Sequence, residues 1–102
     1  MKNKEIQEKF ELYKTQWLEN TKFSSTLREM EADENCQKII ELGNDAIPFI
    51  FKEIKNEKYA RRWIIVLRKI TDVNPIQYSN VGNMKGVVQD WIEWGKQNKH
   101  II

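Results

Sequence analysis

Reactive chemistry starts from groups that attack, shuttle a proton or hold an ion, and this chain has one thiol, Cys36, and one imidazole, His100. A hydrolytic nucleophile needs its base positioned within hydrogen-bond reach. Nothing in the spacing brings these two residues together. Cys36 falls on an apolar helical face between Asp33 and Ile39, where a thiol serves as a small core side chain. His100 lies in a terminal segment, residues 98 to 102, expected to fray. Four carboxylates, Glu29, Glu31, Asp33 and Glu34, crowd a helix start. Such groups bind a hard cation when they converge, but the positive end of a helix dipole favours them without one. The expectation is therefore no metal. No CxxC, HExxH, glycine-rich phosphate loop or EF-hand spacing occurs, so no cofactor and no catalytic residue are expected.

The remaining group with chemical character is basic. Residues 52 to 69 hold seven Lys and Arg against two Glu, a net +5 within a chain whose total is +2. On a helix turning about 100° per residue, Lys58, Arg61, Arg62, Arg68 and Lys69 cluster opposite Trp63 and Leu67, with Ile65 in their midst. Such an arc is either a solvated helix face or a docking surface with a positive rim and an apolar centre. As a docking surface it suits an acidic protein partner or a phosphate backbone. The small total charge favours protein, because nucleic acid asks for a wider basic footprint. Trp17, Trp63, Trp91 and Trp94 recur at helical spacing and are expected in the core. Trp94, at the edge of its stripe beside Glu93 and Lys96, is the exception, a candidate interface anchor.

The elements that would carry these residues are helices. Ile6, Phe10, Tyr13 and Trp17 place one stripe on a helix from Lys4 to Asn20, with Leu12 and Leu18 off it. After a break at Thr21 to Ser25, Thr26 and Glu29 have capping-box spacing for a short helix. From Asp33 the pattern resumes through Cys36, Ile39, Ile40 and Leu42 and stops at Gly43. Asp45 is expected to cap the next helix, with Pro48 in its first turn and Ile47, Ile50, Phe51 and Ile54 inward. A helix carrying Tyr59, Ala60, Trp63, Ile64, Leu67 and Ile70 then ends before Pro75. The loop 71–82 is expected to be held by Ile76 and Tyr78 packing back. The last helix starts near Asn83 and carries Met84, Val87, Val88, Trp91, Trp94 and Gly95, the glycine implying a close neighbour.

At 102 residues, 40% hydrophobic and 31% charged, the chain has the length and balance of a single globular domain over residues 1–102. Four Gly and two Pro leave little material for hairpin turns, which argues against an all-β fold. No apolar run is long enough to cross a bilayer, and the amino terminus MKNKEIQEKF is charged where a signal peptide is apolar. With its lone cysteine, this points to the cytoplasm. Charge is uneven: residues 1 to 34 carry six Lys and Arg against eight Asp and Glu, a net −2, and the rest carries +4.

The stretch LGNDAIPFI, followed by Trp63 and Leu67 in the next helix, resembles the HEAT and armadillo-like helical repeats, over about one repeat unit at residues 39 to 70. Asn56 or Glu57 stands where such repeats often place an Asp between the two helices, and Arg61 matches their usual Arg only with a one-residue shift. Over most of residues 17 to 96, WLENTKFSS, IIELGNDAIPFI, RWIIVLRKITDVNP and GNMKGVVQDWIEWGK also resemble a group of small bacterial proteins of no established activity. The resemblance implies a helical fold unit of bacterial or phage origin and supplies no catalytic residue. The expectation is an all-α domain of five or six helices around a HEAT-like hairpin, a scaffold for contact. It would act as a non-enzymatic protein-interaction module through Lys58, Arg61, Arg62, Ile65, Arg68, Lys69 and Trp94, with nucleic-acid binding in a regulatory or defence-linked role as the alternative.

Overall fold

Local hydrogen bonds fix where most of the helices begin and end. The structure, a computed structural model, describes residues 2–56 and 58–100. It is all-helical over those residues: α1 (Lys2–Asn20), α2 (Leu27–Ala32), α3 (Glu34–Leu42), α4 (Ile47–Glu53), α5 (Ala60–Thr71) and α6 (Met84–Gln97), with 3-10 turns at Gly43–Ala46 and Tyr78–Asn80. The chain forms two compact units, the first ending at Ala46 and the second beginning at Ile47.

In the first unit α1 packs on α3 and on the 3-10 turn, and α2 packs on α3. Phe10, Trp17, Cys36, Ile39 and Ala46 are its buried apolar side chains, so the stripe of α1 faces inward through Phe10 and Trp17. Buried Trp17 keeps its indole N–H satisfied by donating to the Met30 carbonyl at 2.8 Å, which ties α1 to α2. Thr21 closes α1, its backbone N–H and hydroxyl both donating to the Trp17 carbonyl, at 3.0 and 2.6 Å. Thr26 caps α2 by accepting from Glu29 N at 3.2 Å, and the Glu29 carboxylate accepts from Ser25 N at 3.2 Å. This is a capping box whose return bond lands one residue early. Asp33 caps α3, accepting from Asn35 N at 2.8 Å.

Gly43 takes φ +66° and ends α3 as expected. The chain then enters the 3-10 turn at once and runs on into α4. Asp45 therefore lies inside that turn instead of capping a fresh helix, while Pro48 does fall in the first turn of α4.

In the second unit α4 packs on α5, α5 on α6, and α6 on the second 3-10 turn. Ile47, Ile50, Phe51, Ile54, Trp63, Ile64, Val66, Leu67, Val87 and Trp91 are buried there. α5 ends at Asp72, which takes the left-handed φ of +56° and donates its N–H to the Arg68 carbonyl at 2.8 Å. The loop beyond it departs from expectation. Tyr78 is 94% exposed and Ile76 only half-buried, so apolar packing is not what holds this segment. A carboxylate holds it: one oxygen of Asp90, on α6, accepts from Gln77 N at 2.8 Å and from the Asn80 side-chain amide at 2.9 Å.

Gly86 makes that attachment possible, because a Cβ there would fall on the Asn80 side-chain amide. In an open helix Gly→Ala gains about 1 kcal/mol. Here it forces Asn80 off Asp90, at a cost of about 1–3 kcal/mol for the lost bond and the overpacking. Gly86→Ala is therefore expected to lower stability in urea unfolding, by about 1 kcal/mol, and to speed hydrogen exchange at Gln77. A stabilised Gly86→Ala variant contradicts this attachment.

Candidate functional site

α5 presents its charges through the arc that packing leaves open. Six of its twelve residues are buried, Ala60, Arg62, Trp63, Ile64, Val66 and Leu67. Arg61, Arg68 and Lys69 are exposed, and Ile65 is half-buried among them. On the helical wheel Arg61 and Lys69 stand about 40° to either side of Ile65, and Arg68 about 60° away. The result is an aliphatic centre with cations at steps of three and four residues. Arg68 and Lys69 also lie in the last turn, where the helix dipole favours positive charge by about 0.3–1 kcal/mol each.

Two members of the expected basic set do not join this arc. Arg62 is only 8% exposed. Its position borders Val66, on the side that packing takes in, where the aliphatic stem can lie along apolar surface. Its guanidinium lies over the Tyr59 ring, 5.6 Å from the centroid, and Lys58 Nζ lies 5.4 Å from the same centroid. Tyr59 thus gathers two cations, each contact worth about 0.5–1 kcal/mol. It was not among the expected site residues; the signal in the sequence is the three-residue step from Tyr59 to Arg62.

Trp94 is half-buried and belongs to an aromatic group rather than standing bare. Its ring stacks with Phe51 (centroids 6.4 Å apart, planes at 28°) and with His100 (5.2 Å, 18°), and Trp91 meets it edge-on at 5.5 Å. His100 is held there by the backbone. His100 N donates to the Gly95 carbonyl at 2.8 Å and Lys99 N to that of Lys96 at 3.2 Å. These are the paired bonds of a Schellman motif, with Lys99 in the left-handed position at φ +63°. The expectation that the chain frays from Asn98 is corrected for residues 98–100; Ile101 and Ile102 lie outside the described residues.

Cys36 is fully buried, so its thiol does not face solvent. Of the four carboxylates, Asp33 and Glu29 act as caps, and no group of three His, Cys, Asp and Glu side chains converges among the described residues. Between α1 and α3 a shallow cleft of about 320 Å³ is lined by Leu12 and Tyr13 and by polar Gln16, Asn20, Glu34 and Lys38. Lys38 bridges Glu34 at 3.8 Å and lies 5.6 Å from the Tyr13 ring centroid. No helix among the described residues is long and apolar enough to cross a membrane.

No family model, no curated protein and no solved structure matches this chain.

The helix end makes a prediction that separates backbone strain from ring stacking. Lys99→Gly removes the left-handed penalty of a side chain and is expected to stabilise by about 0.5–1 kcal/mol. His100→Ala is expected to lose about 0.5–1.5 kcal/mol and to raise acrylamide quenching of Trp94 fluorescence. Thermal melts and quenching measure both, and unchanged quenching in His100→Ala contradicts the stack.

Proposed function

We propose that the chain is a non-enzymatic interaction module of the bacterial cytoplasm that docks an acidic protein partner on the exposed arc of α5. One observation carries this: a helix otherwise committed to packing presents Arg61, Arg68 and Lys69 around a half-buried Ile65. Positive groups at the rim steer an acidic partner and reject a basic one, while the aliphatic centre gives up water on contact. A HEAT-like character for α4 and α5 belongs to the same proposal, supported by the LGNDAIPFI likeness and by the packing of the two helices on each other. Trp94 contributes less than its residue type suggests, because His100 and Phe51 already take up part of its ring. Lys58 and Arg62 support the arc through Tyr59 instead of meeting the partner directly.

The test compares wild type with Arg61→Glu/Arg68→Glu and with Ile65→Asp in affinity capture from bacterial lysate, with circular dichroism confirming the fold. Wild type is expected to retain a stoichiometric acidic protein that both variants lose. Equal capture by all three contradicts the proposal. Nucleic acid is read out alongside by gel shift: a complex whose affinity falls steeply with salt would replace the protein partner with a phosphate backbone.

A further inference from the structure

The acidic partner that the α5 arc fits has a counterpart on this chain's own α1. Leu12 lies off the buried stripe of α1 and is 56% exposed. About it on the wheel, within about 40°, stand Glu5, Glu8 and Glu19, all exposed. Glu19 shares its charge with Lys22 at 2.9 Å, and Glu11, farther round, pairs with Lys14 at 2.8 Å. Lys4 and Lys9 lie at the flanks. The two faces are complementary in kind: Leu12 has Glu8 four residues away and Glu5 and Glu19 seven away, with Lys9 three away at the edge, and Ile65 has Arg68 three residues away and Arg61 and Lys69 four away.

Resting on the docking role proposed for α5, we infer that its occupant is a second copy of this chain, the α1 face of one copy seated on the α5 face of another. The contact is heterologous, so each copy offers one donor face and one acceptor face, and association continues or closes according to the rotation it imposes. The charges involved are exposed and therefore screened over about 8–10 Å at moderate salt. Self-association strengthens as salt is lowered, and Leu12 and Ile65 supply the part that salt does not remove.

Sedimentation equilibrium on the full chain tests this by charge exchange. Wild type is expected to self-associate with concentration, more strongly at low salt. Glu5→Lys/Glu8→Lys makes both faces positive and Arg61→Glu/Arg68→Glu makes both negative, so each alone is expected to weaken association at least about tenfold. Mixed one to one, the two variants regain it, because each face again meets its opposite. Glu41→Lys/Glu93→Lys carries the same change in net charge as the α1 variant on exposed positions of α3 and α6, leaves both faces as they are, and is expected to self-associate like wild type.

Three outcomes overturn the inference. These are a wild type that stays monomeric to about 1 mM at low salt, a folded variant mixture that fails to associate, and a Glu41→Lys/Glu93→Lys control that loses association as the Glu5→Lys/Glu8→Lys variant does. Failure here is distinguishable from failure of the α5 docking role. A monomeric wild type that still loses an acidic protein on Arg61→Glu/Arg68→Glu removes the second copy and leaves the surface in place.

Discussion

The rotation of α5 about its own axis is the constraint on which the surface depends. Fully burying side chains such as Trp63, Ile64, Val66 and Leu67 is worth about 1.5–3 kcal/mol each, whereas an exposed ion pair contributes about 0–1 kcal/mol. The apolar side chains therefore decide which way the helix faces, and the charges take the arc that remains. That arc holds Arg61, Ile65, Arg68 and Lys69. Packing of the opposite face thus concentrates the basic groups without any attraction among them, and against their mutual repulsion.

Polar contacts then set the boundaries that the apolar pattern leaves open. Trp17 reaches the Met30 carbonyl, Asp90 holds Gln77 and Asn80, and the Schellman bonds at Gly95 and Lys96 bring His100 onto Trp94. Each is a short bond between a side chain or backbone group and a helix end or loop. Each also fixes what is exposed: Tyr78 stays outside because Asp90 holds its loop by polar bonds, and Trp94 is half covered because the chain turns back over it. Tyr59 plays the same part for charge, drawing Lys58 and Arg62 to its ring while Arg61 keeps the opposite bearing.

What was legible in the sequence was local. The inward stripe of α1, the Thr26 and Glu29 cap, the stop at Gly43, the place of Pro48 and the Asn83 start of α6 all follow from residues within one or two turns of each other. Sequence spacing also located the basic arc, since helical periodicity alone sets Arg61, Ile65, Arg68 and Lys69 side by side. The misses share another cause. Arg62 stands on the border of the arc, and whether a border residue is taken in depends on how wide the buried face is, which only packing determines. Ile76 and Tyr78 are expected to pack back and hold their loop, but it is secured by an aspartate thirteen residues from Gln77. Residues 98 to 102 are expected to fray as a chain end, and Lys99, a residue that seldom takes a left-handed φ, gives no sign of the Schellman turn that holds His100.

Chemical modification of arginine, followed residue by residue by mass spectrometry, bears most directly on how α5 is turned. With phenylglyoxal on the folded protein, Arg61 and Arg68 should react readily, while Arg62 stays protected until denaturant unfolds the chain. Arg62 reacting as fast as its neighbours under native conditions would mean that α5 faces another way, and that the arc of Arg61, Ile65, Arg68 and Lys69 is not the surface the protein presents.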